Sequence, residues 1–459
     1  MSIMPHVPVA RVFEKDNITL SEGALKPLAS ACLAIGVVCL ALTIIAGIIT
    51  GNASDPASVK AAADNASTAL HAFHTGSMTV LGLILGALVF YMIATATRAG
   101  WWTLLRRPFE HAMSLIWLGV GLIILTVVLQ ALFVNVQGVT TNKVESLYAP
   151  FIWNWMDPYY TGAVTQNTTP ERTAELQAAG YSLDPLYEHK AGYLNNTFFW
   201  VRMLLYFAVW VGLCKALVGL SNAQDNDGNK WHSNTMGKVS AIGLVLFAIA
   251  TAFASFDLLM TLDYHWFSTM FGVYFFAGSV LSAVCLATLT LIALRTFGKA
   301  QGAFTVEHQH DLAKLIFAFT VFWAYITFSQ YFLIWYGAIP EETMWFSSRK
   351  DSWNWLSYAI PIGHFAIPFI VLLPRPNRRN PLIVAAMCLW LIAFHILDLF
   401  WVIRPEVKGA YAFTWQDIVG IAAPILLFLG FYLRKLEAST LIPLRDPRTH
   451  EALEHKNFI

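Results

Sequence analysis

Uncharged apolar runs of roughly twenty residues or more recur along the chain, separated by polar punctuation. Ten can be counted, at about 29–50, 72–96, 112–137, 197–219, 238–262, 268–295, 312–337, 353–373, 381–403 and 416–434. A helix rises about 1.5 Å per residue, so each run can cross a hydrocarbon layer about 30 Å thick. The pattern predicts an all-α polytopic membrane protein with ten transmembrane helices. It also sets the organisation: a polar segment over residues 1–28, a membrane domain over 29–434 with one long external loop at 138–196, and a polar tail over 435–459. The opening segment has no apolar stretch ahead of the first run, so no cleavable leader is expected.

Only 12% of the 459 residues are charged and 57% are hydrophobic, whereas a soluble globular chain carries roughly 25% charged residues. That leaves too little polar surface for a water-soluble protein of this size, and no basic stripe that would hold nucleic-acid phosphates. Arginine and lysine sort the connections. Eighteen lie in the terminal segments and the loops on their side, among them Arg98, Arg106, Arg107, Arg375, Arg378 and Arg379, and eight lie in the longer opposite loops. Cytoplasmic loops collect such residues, so both termini are expected on the cytoplasmic side. The five cysteines all sit inside apolar runs without CxxC spacing, which reads as packing and not as iron–sulfur or zinc ligation. Asp225–Asn229 has the look of an opening calcium loop, but Met236 stands where the closing acid belongs, leaving a polar turn.

The densest chemistry lies in Phe253–Gly278, where two apolar runs meet across Asp263-Tyr264-His265-Trp266 with almost no loop. Asp257 sits inside the first run. A lone carboxylate in hydrocarbon takes up a proton, finds a partner or lines a wet cavity. Asp257 is therefore expected to handle a proton or bond a quinone, or else to tie two helices; Met260 and Tyr264 share its face at helical spacing. For Asp263 and His265 the structural reading leads, with Asp263 capping the next helix or binding a partner's backbone. His71 and His74 open the second run on one helix face. That suits haem or metal ligation, a quinone or proton path, or interfacial hydrogen bonding. Arg202 and Lys215, at opposite ends of the fourth run, are expected to snorkel, with a substrate or partner role also open to Arg202.

Ahead of the seventh run, Glu307, His308, His310 and Asp311 read as a helix cap and a cytoplasmic proton entrance, with Lys314 only weakly paired to His310 or Asp311. Inside that run Tyr325, Ser329 and Gln330 make a hydroxyl–amide line suited to a proton wire or to helix–helix contact. Pro340 is expected to stop this helix, and Pro361 and Pro368 to break the eighth around a wet His364. In the ninth, His395 and Asp398 are three residues apart and can hydrogen-bond on one face. Asp257, His364, His395 and Asp398 make the leading proton-path set. The Trp153–Tyr160 cluster and a short helix over Glu171–Ala179 suit docking of the long loop against membrane or a partner. No phosphate loop, dinucleotide fingerprint, nucleophile elbow or zinc-protease motif is present.

Three stretches carry a resemblance to a known family: FDLLMTLDYHWFSTMFGVYFFAG from Phe256, HDLAKLIFAFTVFWAYITFSQYFLIWYGAIPEET from His310, and LLPRPNRRN from Leu372. The chain resembles the ActF-type membrane subunits of bacterial alternative complex III, a quinol:cytochrome c oxidoreductase. These are similar in turn to the NrfD/polysulfide-reductase membrane anchors. The likeness runs from the first span to the tenth. It implies ten helices containing two four-helix bundles, in the bacterial inner membrane, in a subunit that binds no redox cofactor itself. Haem c and iron–sulfur clusters would reside in partner subunits, with menaquinol or another quinol as electron source. Implied partners are an NrfD-like paralogue, an iron–sulfur/molybdopterin-like periplasmic subunit, multihaem and monohaem cytochrome c subunits, small membrane subunits, lipids and a terminal oxidase. In the family, quinol oxidation falls most firmly to the paralogue, this type of chain is called a second quinone-binding subunit, and both carry proposed proton half-channels. By residue the resemblance covers Asp257–His265, His310–Gln330 and Pro340–Glu342; His364, His395 and Asp398 rest on the physical argument. The expected function is a respiratory-chain membrane subunit supporting quinol oxidation, electron transport and proton translocation. A structural anchor without quinone or proton role, and a secondary transporter, are the alternatives.

Overall fold

Hydrocarbon offers backbone amides no hydrogen-bond partner, so a chain with these runs must close its backbone bonds within helices. The computed structural model describes residues 8–52, 54–140, 150–156, 185–407 and 413–457. It is 80% helical, and among the described residues there is no strand and ten helices are long and apolar enough to span a membrane. They are α1 (Lys26–Ile48), α2 (Pro56–Ala96), α3 (Ile116–Thr140), α4 (Asn196–Asp227) and α5 (Lys230–Leu258). The second five are α6 (Phe271–Thr296), α7 (Val306–Gly337), α8 (Asn354–Leu372), α9 (Pro381–Ile403) and α10 (Trp415–Glu437). The helix expected at Glu171–Ala179 lies outside the described residues, as do Asp157–Tyr160 of the aromatic cluster.

Four departures from the sequence expectation have a local reason. α2 starts at Pro56, well before residue 72. Asp55 caps it by accepting the Ala57 amide at 3.1 Å, Pro56 takes the first turn, and the alanine-rich stretch that follows favours helix. α5 ends at Leu258 and α6 begins at Phe271, with a 3₁₀ turn at Met260–Leu262 between them. The near-loopless junction is thus replaced by a real connection, and Tyr264 shares no helix face with Asp257. Pro361 and Pro368 do not break α8. A π-helical stretch over Pro361–Ala366 absorbs them, the Ile367 amide reaching back to the Ile362 carbonyl, so the wider turn accommodates the bond a proline cannot donate. Pro340 does not stop α7, which ends at Gly337 through left-handed Ala338 at φ +50°. It opens the next short helix, Pro340–Ser347, as its first residue.

α2 to α5 form one bundle and α6 to α9 a second, joined where α2 packs on α6, while α1 and α10 pair against the flank of α2. The membrane-length stretches of α2 and α6 are 89% and 83% buried, against 28% for α1, so these two helices are the core. Small residues let their backbones approach: a Cβ on Gly86 would lie 2.1 Å from the Ser279 carbonyl oxygen.

The described end segments, from residue 8 and up to residue 457, meet at one face. The Leu441 amide donates to the Ile18 carbonyl at 2.8 Å, and the Ala300 amide to the Asn17 carbonyl at 2.9 Å. Val12, Ile18, Leu104, Ala303, Ile442 and Ala452 pack into a small apolar cluster there, so the two polar end segments build a cap. Beneath it Arg106 and Arg107 are only 4% exposed. Glu110 pairs with them at 3.1 and 2.5 Å, and Asp446 and Asp225 add a second acidic partner to Arg106 and Arg107 respectively. These loop arginines are buried ion pairs, not surface charges.

Replacing Gly86 by Val should wedge α2 from α6 and cost about 1–3 kcal/mol, seen as a lower thermal-unfolding midpoint in detergent. Gly121→Ala, where nothing lies within 4 Å of the new Cβ, should leave the midpoint in place.

Candidate functional site

α9 carries Asp398 into the second bundle, near the helix end that lies opposite the termini. Its carboxyl group accepts from the Tyr274 hydroxyl on α6 and from the Trp323 indole N–H on α7, the latter at 3.1 Å. No cation pairs with it among the described residues. The buried arginines of this half are taken elsewhere, Arg349 by Glu406 at 2.7 Å and Arg404 by Asp417 at 2.8 Å. His364, set in the π-helical turn of α8, lies against Trp323 with ring centroids 4.0 Å apart, and His395 lies 6.2 Å from His364. Both histidines are buried, and among the described residues none of their four ring nitrogens has a hydrogen-bond partner. The bond expected between His395 and Asp398 is not made. The acid is turned to Tyr274 and Trp323, while the imidazole lies over Gly278, where a Cβ would come within 2.5 Å of its Cε1. A neutral imidazole carries one donor and one acceptor, so the pair marks a polar site suited to internal water or ligand atoms.

The first bundle holds an acid in the corresponding place, in different company. Asp257 is fully buried and gripped by Arg202 of α4, Nε to Oδ2 at 2.8 Å and Nη2 to Oδ1 at 2.9 Å, with the Tyr206 hydroxyl donating at 2.9 Å. Arg202 does not snorkel. Its guanidinium lies over the Tyr193 ring at 3.8 Å and donates to the Tyr193 carbonyl at 2.9 Å, because a planar fork with a bidentate carboxylate partner gains more inside than at the surface. The Trp153 indole donates to the Asp257 carbonyl at 3.0 Å, and His74 Nε2 donates to the Leu258 carbonyl at 2.9 Å. His71 turns instead to the Ser67 carbonyl at 2.8 Å, so the two histidines do not converge. Among the described residues no group of three His, Cys, Asp or Glu is arranged around a metal position.

The remaining candidates separate. Asp263 does not cap α6, whose N-cap is Met270; its Oδ1 accepts the His265 amide at 3.0 Å and faces His265 Nδ1 at 3.2 Å, closing the turn. Burial pushes this carboxyl up, and the bonds from His265 with Arg349 nearby outweigh it, holding the group below the usual carboxylate range. Tyr325 points outward at 65% exposed, Ser329 is half-buried, and buried Gln330 accepts from Ser268 at 3.0 Å. The expected hydroxyl–amide line is therefore broken, since five helical residues turn through about 140°. The cap of α7 is a box formed by Thr305 and His308, not by carboxylates, and Glu307 pairs with Arg379 at 2.6 Å. Lys314 is paired, holding Asp311 at 2.6 Å. Asp311 also meets His455 of the tail at 2.5 Å, and Asn457 reaches His310 at 3.2 Å. The tail thus lies across the expected proton entrance.

Sequence patterning does not single out Tyr206, Tyr274 or Trp323, nor join Arg202 to Asp257. One signal is there to be used. Ala252-Phe253-x-x-Phe256-Asp257-Leu258 on α5 recurs as Ala393-Phe394-x-x-Leu397-Asp398-Leu399 on α9, and Gly76-Ser77 of α2 recurs as Gly278-Ser279 of α6. Equally far beyond those glycines, Arg98 and Ala300 both take the left-handed backbone, at φ +53° and +51°. The bundles are one four-helix pattern used twice, with the acid on the fourth helix each time.

Fold and site define an all-α, multi-pass membrane protein of two joined four-helix bundles. Protein-family models give no match to the chain, and no curated protein matches it.

Arg202→Met strands the Asp257 carboxylate and should destabilise the protein by about 3–5 kcal/mol. The double variant Arg202→Met/Asp257→Leu removes both partners and should recover most of that loss, measured by thermal unfolding in detergent.

Proposed function

We propose that this chain is a membrane subunit of a quinol-oxidising respiratory complex of the alternative complex III type. In it the chain supports electron transfer from menaquinol or another quinol to cytochrome c or another periplasmic acceptor, and supplies a proton half-channel. In this reading both termini face the cytoplasm of a bacterial inner membrane, and the Asp398 centre opens toward the periplasm. Haem c and iron–sulfur clusters belong to partner subunits, beside an NrfD-like paralogue.

The observation that carries the reading is the Asp398 centre itself. Among the described residues, a buried acid met only by a hydroxyl and an indole, beside two imidazoles with four unpartnered nitrogens, is a costly arrangement for a scaffold. A helix anchor would gain more from apolar side chains there. The arrangement suits a group that gives up and regains a proton, with imidazoles within a turn to receive it.

In the assembled complex, Asp398→Asn should lower quinol-driven turnover and proton release about a hundredfold, the low end of what a positioned proton donor contributes. Haem-bearing and iron–sulfur partners should still co-purify with the variant. His364→Phe and His395→Phe should act in the same direction. Unchanged turnover and proton release in a normally assembled Asp398→Asn complex would leave only the anchor.

A further inference from the structure

We infer that the two halves have divided the work of one repeated acid: Asp398 exchanges a proton, while Asp257 is a fixed negative charge held as the counter-ion of Arg202. The repeat supplies the comparison, because both acids sit in the same seven-residue pattern on the fourth helix of their bundle. Their surroundings have diverged. Asp257 meets a guanidinium through both oxygens and a tyrosine hydroxyl, a setting that favours the ionised form. Asp398 meets Tyr274 from α6 and Trp323 from α7, with His364 of α8 and His395 of its own helix as the titratable groups beside it. Arg349 and Arg404, the cations of the neighbouring connections, are committed to Glu406 and Asp417.

The histidines diverge in the same sense. In the first half His74 is bonded through Nε2 to the Leu258 carbonyl and leaves only Nδ1 open, whereas none of the four ring nitrogens of His364 and His395 is bonded among the described residues. The exchange follows: the Asp398 O–H bond breaks as an N–H bond forms on a neutral imidazole by way of intervening water, leaving carboxylate and imidazolium. The imidazolium then releases that proton to water, a second proton returning to the carboxylate resets the acid, and no electron moves. Asp257 takes no part in such an exchange, because the Arg202 guanidinium holds both of its oxygens and stabilises the carboxylate.

The inference rests on the proton-path reading for the purpose of the exchange, but the state of each acid can be read without it. Infrared difference spectra of the native complex in membranes, before and after hydrogen–deuterium exchange, resolve the C=O stretch of a protonated carboxyl. One such band should vanish in Asp398→Asn and shift in Asp398→Glu, and should persist in Asp257→Asn and in the charge-neutral double Arg202→Gln/Asp257→Asn. Arg202→Met should add a second band, as Asp257 loses its cation and takes up a proton. Loss of the band in Asp257→Asn, or its survival in Asp398→Asn, would overturn the inference. The expected bands together with unchanged turnover in Asp398→Asn would keep the assignment and remove the respiratory role.

Discussion

Lipid tails are as apolar as leucine, so close packing and polar bonds must hold membrane helices together. Here that burden falls on the seam between α2 and α6. Gly82 and Gly86 of α2 leave room for Ser279 of α6, whose side chain and carbonyl would otherwise meet a Cβ at 2.8 and 2.1 Å. The far side of α2 is stripped in the same way: Gly76 faces the Ile421 carbonyl of α10, and Gly420 of α10 faces Ala72. One helix thereby touches both bundles and the α1–α10 pair. The positions of the two acids follow from this seam, because α5 and α9 are each registered against the bundle that it joins.

The acids show two solutions to one problem. Taking a carboxylate out of water is costly, and the protein offsets that cost either with an opposite charge or by letting the group go neutral. Arg202 supplies the charge in the first bundle, and Tyr193 and Phe198 cover its guanidinium. That pair adds little net stability over an apolar substitute, yet removing one member leaves a stranded ion. In the second bundle the donors are a phenol and an indole, which can serve the acid in either state. The π-helical turn of α8 belongs to this second solution, since it sets His364 against Trp323 inside the bundle.

The ten spans were readable because length and apolarity suffice to define them, and α9 spans the residues its pattern indicates. The start of α2 was not, since alanine with scattered polar residues looks like a loop until Asp55 and Pro56 are recognised as a cap and first turn. Asp257 announced itself as an acid out of place, but its partner lies 55 residues away on another helix, a separation no helical period reports. Tyr325 and Gln330 were grouped by proximity in sequence and parted by the helix turn. His395 and Asp398 had the right spacing, yet Tyr274 and Trp323 compete for the acid and win. The repeated Ala-Phe-x-x-x-Asp-Leu pattern was in plain view, and it acquired meaning only once both aspartates stood in matching places.

The end segment that follows α10 crosses the whole termini face. It bonds Arg106 and Asp225 of the first bundle through Asp446 and Leu444, and Asp311 and His310 of the second through His455 and Asn457. A ribosome makes these residues after all ten spans. Arg106 and Asp311 must therefore wait, partly unpaired and hydrated, while the helices insert and gather. Both halves are complete before the strap that joins them is made, so these bonds are the last to be available to the chain.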